Sequence, residues 1–309
     1  MVRSHCTFHL KTKRKDENLN YNEFITQLKE KLQEYLRENM GEEVKVTYYQ
    51  IMRNNNVLKD SFLLSGKSKR ISPAIYLEAC YTAYQNGRTV SKIAEDMGRL
   101  YQKCCSNAPV DIAKFTDFEY MKDKIFCSLI NQSGNKALLK DIPHEQYLDL
   151  ALAFYYFMQD DDLGNGMIQI RYDHLKLWHA KEEEICLLAR ENTRTRFPCH
   201  LFEMGEILRK PSETDQFPMY VLTNERRYYG ACGILFDSVL TEAAQKLGGN
   251  FYVLPSSVHE CILVPETDRA DPEELSSMVR EINQSHVLPE EVLSDGIYHY
   301  DAQKHHLTI

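Results

Sequence analysis

Long apolar runs and an excess of positive charge are both missing from this sequence. The longest apolar stretches, such as residues 148–158, are far shorter than the roughly 20 residues of a transmembrane helix. We therefore expect no membrane-spanning segment. The net charge of −8 repels nucleic acid and anionic lipid, so only a local basic patch could bind them. Apolar residues make up 43% and charged residues 27%, which is typical of a globular protein.

The motifs of disulfide-rich and zinc-binding proteins are also missing. The nine cysteines are an odd number, and none forms the Cys-x-x-Cys pair typical of structural zinc sites. Residues 1–10 lack the apolar segment of a signal peptide. These features together predict a protein of the reducing cytoplasm, without a metal or other cofactor.

Other motifs match only in part. Gly66-Lys-Ser has Ser61 where a P-loop needs glycine, and no Gly-x-Gly-x-x-Gly occurs. The acidic segment 160–166 lacks the glutamate that closes a calcium loop, so we interpret it as a hairpin turn. Two groups of histidines lack supporting ligands at metal-binding spacing, and solvent-exposed side chains explain them better. These groups are His5, Cys6 and His9, and His299, His305 and His306.

Periodicity in the first half predicts helices and one small sheet. A helix is expected over 20–39 with Asn20 as its cap, and a hairpin over 44–64 with its turn at the asparagines 54–56. Thr89 is the expected cap of a further helix. Thr116 and Glu119 form a capping-box pattern, which predicts a helix continuing through Leu129.

The second half alternates predicted strands and helices. Strands are expected at 148–158, 167–172, 219–223, 228–236, 251–255, 297–300 and 307–309, and helices at 181–194, 238–247 and from 272 onwards. The predicted fold class is α+β, with helices packed on small antiparallel sheets in two sub-domains. We expect a disordered basic lead-in over 1–17, an N-terminal helix-rich part over 18–145 and a C-terminal part over 146–309.

The best candidate for a site is the stretch 251–264. Its apolar strand is interrupted after Pro255 by Ser256, Ser257, His259 and Glu260. Polar groups between buried runs need partners, because an unpaired one costs about 1–3 kcal/mol. We favour a bulge or turn in which these side chains bond to neighbouring groups. Ligand binding comes next and catalysis last, since a serine and a histidine two apart on a strand do not form a nucleophile–base pair.

A second candidate surface is the predicted turn that contains Arg226, Arg227, Tyr228 and Tyr229. Arginine beside tyrosine is suited to stacking on bases and is equally typical of protein interfaces. The following Gly230-Ala-Cys-Gly233 indicates a bulge or the close approach of another backbone, not a phosphate site.

The expected function is that of a non-catalytic binding or accessory protein with an unknown protein partner. Its expected surface combines Arg226–Tyr229 with the 256–260 cluster. One alternative is a hydrolase-type enzyme that uses Ser256, Ser257, His259 and Glu260, or Cys232. Another is nucleic-acid binding through the basic and tyrosine-rich patches.

Several short segments together resemble an uncharacterised domain family. They are Ser72-Pro-Ala-Ile-Tyr-Leu77 with Tyr81, Tyr84 and Gly87; Asp149-Leu150; Ala189-x-x-Asn192-Thr193; Met219–Asn224; Gly230-Ala231; and Leu254-Pro-Ser-Ser-Val-His-Glu260. The resemblance covers nearly the whole chain after the first 17 residues. This family of unknown function is common in anaerobic Gram-positive bacteria, so the resemblance implies a bacterial cytosolic protein. It implies no activity, cofactor or catalytic residue.

Overall fold

The computed structural model describes residues 19–40, 43–66, 74–106, 115–160, 164–204 and 219–309. Some predictions lie outside this part of the chain: those for the lead-in 1–17, for the basic residues 67–70, and for residues 161–163 and 205–217. The remainder forms two compact units. Residues up to Ile51 and 59–109 make up the first unit, and residues 52–58 and 110–309 make up the second.

The first unit is built around one amphipathic helix, α1 (Tyr21–Asn39). Asn20 caps it: its side chain accepts a hydrogen bond from the backbone of Glu23, whose carboxylate accepts one from the backbone of Asn20. One face of α1 is buried because its apolar residues recur every fourth position. These residues are Phe24, Leu28, Leu32 and Leu36.

The first unit also contains a three-stranded antiparallel sheet and two more helices. The strands are β1 (Val44–Met52), β2 (Leu58–Gly66) and β3 (Ala74–Tyr76), in the order β1-β2-β3. The helices are α2 (Leu77–Gln85) and α3 (Val90–Ser106). Phe62 and Leu64 of β2 join the same core as the buried face of α1. The predicted helix, hairpin and Thr89-initiated helix are confirmed.

The second unit begins with a four-stranded antiparallel sheet. Its strands are β4 (Ile125–Asn131), β5 (His144–Tyr147), β6 (Leu150–Asp160) and β7 (Gly164–Gln169). The long strand β6 pairs with β4 along one edge and with β5 and β7 along the other. Among the described residues, three helices accompany this sheet: α4 (Phe118–Met121), α5 (Tyr172–Trp178) and α6 (Glu182–Arg196).

The helix predicted from residue 116 through Leu129 is wrong beyond its first turn. Asp117, not Thr116, caps the short α4, and Ile125 already begins a strand. Residues 125–130 are all buried. In a run that is buried on every side, periodicity alone does not distinguish a strand from a buried helix. Residues 115–145, which the sequence assigned to the first part, belong to the second unit, where β4 pairs with β6.

A six-stranded antiparallel sheet completes the second unit. Its strands are β8 (Cys199–Glu203), β9 (Tyr220–Asn224), β10 (Phe251–Ser257), β11 (Glu260–Pro265), β12 (Tyr298–Asp301) and β13 (His306–Thr308), in the order β13-β12-β10-β11-β9-β8. The accompanying helices are α7 (Asp237–Leu247) and α8 (Pro272–Ser285). Asp271 caps α8 by accepting a hydrogen bond from the backbone of Glu273, as its sequence predicts.

The predicted strand over 228–236 is wrong. Gly230–Leu235 forms 3₁₀ turns instead, and residues 230–234 are buried. Gly230 makes this path possible. Its backbone N–H donates to the carbonyl of His259 at 2.9 Å, and at this close approach there is no space for a side chain.

The turn between β1 and β2 packs within the second unit. Asn55 and Asn56 have positive φ values of 58° and 59°, so the prediction that asparagines form this turn is confirmed. The side chain of Asn55 donates to the carbonyl of Val292 at 2.7 Å, and its backbone N–H donates to Asn135 at 2.9 Å. The bond to Val292 holds the segment 289–294, which in turn contacts the 256–260 cluster through Glu291 and Val258.

The fold is therefore α+β, with small antiparallel sheets, as predicted from the sequence. None of the helices within the described ranges has both the length and the apolar character needed to cross a membrane.

Candidate binding site

The 256–260 cluster forms the turn between β10 and β11. The pairing of these strands shifts between Leu254 and Ser257, which places a bulge next to Pro255. Proline is tolerated there because a bulge leaves ladder positions unpaired. The turn is fastened to segment 289–294, since the backbone of Val258 donates to the carbonyl of Glu291 at 2.8 Å and that of Ser294 donates to Pro255 at 3.0 Å.

The side chains of the cluster have different surroundings. The hydroxyl of Ser257 accepts a hydrogen bond from the backbone N–H of His259 at 3.1 Å. Glu260 is half-buried and pairs through its backbone with Ser257. The side chain of Ser256 lies outside the described part of the structure. Ser257 thus stabilises the turn itself, which matches the interpretation that we favoured from sequence.

His259 links the β10–β11 turn to the loop that follows β9. Its Nδ1 accepts a hydrogen bond from the backbone of Tyr229 at 3.1 Å, so this nitrogen carries no proton. Its Nε2 lies 3.3 Å from a carboxylate oxygen of Glu291. The ring also stacks on Tyr228, with the ring centroids 5.1 Å apart.

The loop after β9 is held in an unusual backbone conformation. Arg227 and Tyr229 have positive φ values of 50° and 56°. Asn224 stabilises this conformation, because its side chain donates to the carbonyl of Tyr228 at 2.9 Å and accepts from the N–H of the same residue at 3.3 Å. Together with His259, Asn224 fixes the directions in which Arg226, Tyr228 and Tyr229 project.

This loop forms one wall of a cavity of about 630 Å³. Ligand pockets for small molecules typically enclose about 300–1,000 Å³. Five aromatic side chains line the cavity, and they come from β4, β6, the end of α6 and the loop after β9. They are Phe126, Phe157, Phe197, Tyr228 and Tyr229. We call this cavity the aromatic pocket.

The phenylalanines of the aromatic pocket pack edge to face. The ring centroids of Phe126 and Phe197 are 4.4 Å apart with an angle of 76° between the planes. Those of Phe157 and Phe197 are 5.6 Å apart with an angle of 73°. The guanidinium of Arg226 lies 4.8 Å from the ring centre of Phe197 and 5.3 Å from that of Phe157, within the range of cation–π interactions.

Two further lining side chains, Thr193 and Cys232, already have hydrogen-bond partners. The hydroxyl of Thr193 accepts from the backbone of Cys127 at 3.0 Å and donates to the carbonyl of Ala189 at 2.7 Å. The thiol of Cys232 donates to the carbonyl of Tyr229 at 3.0 Å. Neither group is therefore available to a ligand without breaking an internal bond.

The buried thiols of Cys127 and Cys232 and the phenol of Tyr229 stay protonated at neutral pH. A hydrogen bond with Cys199 and burial raise the pKa of the Cys232 thiol well above its usual range. Burial raises the pKa of Cys127 to about 12. Burial likewise raises the pKa of the Tyr229 phenol. Since the thiolate is the reactive form of cysteine, Cys127 and Cys232 are poor nucleophiles.

The sequence-predicted residues do not all belong to one place. Arg226, Tyr228 and Tyr229 line the aromatic pocket, whereas Ser257 and His259 support the loop that carries them. Arg227 and Glu260 are not among the described residues that line the pocket. Metal binding finds no support in the described ranges, where no group of three or more candidate ligands is suitably placed.

Sequence reasoning missed the three phenylalanines of the aromatic pocket. They lie on different elements, and a phenylalanine of a buried core gives the same sequence signal. Arg226 was the one usable indication, because an arginine next to tyrosines in a turn is typical of a contact surface.

Fold and site together define an α+β protein with a pocket of small-molecule size. The chain belongs to the family of unknown function DUF5688, which matches residues 21–302. No curated protein matches the sequence. No solved structure matches it either.

Proposed function

We propose that this chain is a non-catalytic binding protein whose site is the aromatic pocket. The observation that carries the proposal is a cavity of about 630 Å³ with five aromatic side chains in its lining. Large apolar pockets with a few polar groups are the usual sites of small-molecule binding. A partly planar organic ligand would gain both from burial and from edge or face contacts with these rings.

The hydrolase alternative has weaker support. A nucleophile needs a base within hydrogen-bond reach, yet both ring nitrogens of His259 already face other groups, the Tyr229 backbone and Glu291. The hydroxyl of Ser257 bonds to the backbone of His259 and not to its ring. The raised pKa of Cys232 also disfavours a thiolate.

A protein partner is a second candidate, supported by the exposed part of the same loop. Arg226 is exposed and Tyr228 is 47% exposed, and both residue types are enriched at interface hot spots. Nucleic-acid binding has less support, since the chain carries a net charge of −8 and Arg226 is the one cation among the described lining residues.

The bacterial cytoplasm is the proposed location. Cys80, Cys127, Cys186, Cys199, Cys232 and Cys261 are free thiols. Free thiols are typical of reducing compartments, which supports this part of the proposal.

Replacing Tyr228 with alanine tests the binding function. We expect that some members of a panel of planar aromatic compounds bind the wild-type protein, as measured by ligand-observed NMR and calorimetry. Tyr228→Ala should weaken their binding by about three- to tenfold, because an aromatic contact contributes about 0.5–1.5 kcal/mol.

Tyr49→Ala is the matched control for this experiment. Tyr49 is 59% exposed and belongs to β1 in the first unit, so its loss should leave binding unchanged. The proposal fails if no compound of the panel binds, or if the two variants behave alike.

A further inference from the structure

We infer that the aromatic pocket selects planar organic monoanions, with Arg226 binding the carboxylate. This inference rests on the proposed binding function and adds to it the chemical class of the ligand. Its basis is the composition of the lining. Among the described lining residues, Arg226 is the one cationic side chain and none is acidic.

The first argument is the position of the guanidinium. Arg226 packs against the faces of Phe157 and Phe197, at 5.3 and 4.8 Å from the ring centres. A guanidinium that stacks on rings uses its flat face, while its N–H groups point outwards in the plane of the group. Stacking therefore leaves the N–H donors of Arg226 available to an anion.

The second argument is that Arg226 has no acidic partner within the chain as described. Arg190, Arg194 and Arg196 of α6 are each paired with a carboxylate, whereas no ion pair involves Arg226 among the described residues. Arginine at a partly apolar site without a counter-ion is a natural receptor for a carboxylate, which it can bind through two parallel hydrogen bonds.

The third argument is that the other polar groups of the pocket are occupied. Thr193 bonds to Cys127 and Ala189, and Asn224 bonds to the backbone of Tyr228. Burial keeps the Tyr229 phenol protonated, so this group adds no negative charge that would oppose an anion. The pocket thus offers aromatic surface together with one guanidinium.

These properties indicate the charge of the ligand. A single guanidinium neutralises one negative charge, whereas di- and triphosphates are usually held by several cations or by a glycine-rich backbone. The ring-lined walls favour a flat apolar body. The expected ligand is therefore an aromatic monocarboxylate and not a nucleotide.

Pairs of acids and their neutral amides test this inference on the full chain. Benzoate, 2-naphthoate and 9-anthroate are each compared with the corresponding amide by calorimetry at low and at high salt. We expect the best acid to bind about tenfold more tightly than its amide, as for a partly exposed charge-assisted pair. High salt should reduce this difference.

Two arginine variants locate the effect. Arg226→Gln should remove the preference for the acid while still binding the amide, since the aromatic walls remain. Arg227→Gln is the matched control: Arg227 is an exposed neighbour outside the lining, so this variant should keep the tenfold preference.

The outcomes separate this inference from the proposed function. If acid and amide bind equally, or if Arg226→Gln keeps the preference, the pocket binds ligands but the assignment of an anion to Arg226 is wrong. If neither form binds at any ring size, the proposed function itself fails and the inference fails with it.

Discussion

At Gly230, the loop after β9 lies close against the end of β9 and against the β10–β11 turn. A Cβ atom at this position would lie 2.4 Å from the hydroxyl of Thr223, 2.7 Å from the backbone N of Asn224 and 2.8 Å from the carbonyl of His259. The two backbone atoms belong to β9 and to the β10–β11 turn, so neither can shift without moving a strand end. Glycine is therefore required for the loop that carries Arg226 and Tyr228.

Gly230→Ala should destabilise the protein by about 1–3 kcal/mol, because the added methyl group overpacks a site without space. The measurement is urea-induced unfolding, followed by a signal from the second unit. Gly296→Ala is the control, since the nearest atom to its Cβ would lie at an ordinary 3.6 Å. Equal stability of the two variants would contradict the argument.

His259 shows why a polar residue in a candidate site can have a structural role. Its ring accepts from the backbone of Tyr229, and its carbonyl accepts from Gly230 and Thr223, each at 2.9 Å. All three partners belong to β9 or to the loop after it. His259 therefore positions the lining residues of the aromatic pocket without itself contributing to the lining that the described residues form.

At the scale of elements, side chains of helix α6 form hydrogen bonds with backbone groups at the free edge of strand β4. The side chain of Asn192 donates to the carbonyls of Lys122 and Ile125, at 2.8 and 2.9 Å. Thr193 accepts from the backbone of Cys127 at 3.0 Å. An edge strand needs such partners, because its outward backbone groups are otherwise unpaired. The Asn192-Thr193 pair in the family resemblance thus has a structural explanation.

Thr193→Val should destabilise the second unit by about 1–3 kcal/mol. Valine has nearly the same shape as threonine but cannot accept the hydrogen bond, so the buried N–H of Cys127 is left without a partner. Urea-induced unfolding measures the loss, and amide exchange at Cys127 shows where it occurs. Thr193→Ser keeps the hydroxyl and should retain more of the stability. If valine were as stable as threonine at this position, the edge-satisfying role would be excluded.

At the scale of the whole molecule, buried thiols and phenols determine how stability responds to alkaline pH. Burial raises the pKa of Cys127 to about 12 and that of Cys261 still further above its usual range. The Tyr229 phenol shifts in the same direction for the same reason. Above the ordinary thiol value of 9.0 the unfolded chain releases these protons while the folded chain retains them.

The free energy of unfolding should therefore fall as the pH rises from about 9 to about 12. These groups leave it unchanged below pH 8, because both states are then protonated. Each buried thiol should contribute a loss of about 1.4 kcal/mol per pH unit above 9. Urea-induced unfolding at a series of pH values measures this slope.

Cys261→Ala is the internal control for the alkaline response. It removes one buried thiol, so the slope of the unfolding free energy above pH 9 should become shallower by about 1.4 kcal/mol per pH unit. This change is expected whatever happens to the stability at neutral pH. A wild-type protein whose stability is constant up to pH 11 would show that these protons are not retained in the folded state.

The sequence by itself determined the elements whose signals are local. Helix α1 with its Asn20 cap, helix α8 with its Asp271 cap and the asparagine turn near residue 55 follow from periodicity and from side chains that bond to the nearest backbone. The α+β class follows from the same evidence. Arginine and tyrosine in the loop after β9 were recognisable because their residue types indicate contact.

Only the tertiary structure decided the secondary structure of the buried runs and which residues line the pocket. Residues 125–130 and 230–234 are buried throughout, and Ser128 is the one hydroxyl-bearing side chain among them. Strand, helix and turn would bury such runs equally well, and pairing with distant segments decides between these states. The aromatic pocket brings together Phe126, Phe157 and Phe197 with Arg226. These residues are up to 100 positions apart, and their proximity depends on the packing of whole strands and helices, which no local pattern encodes.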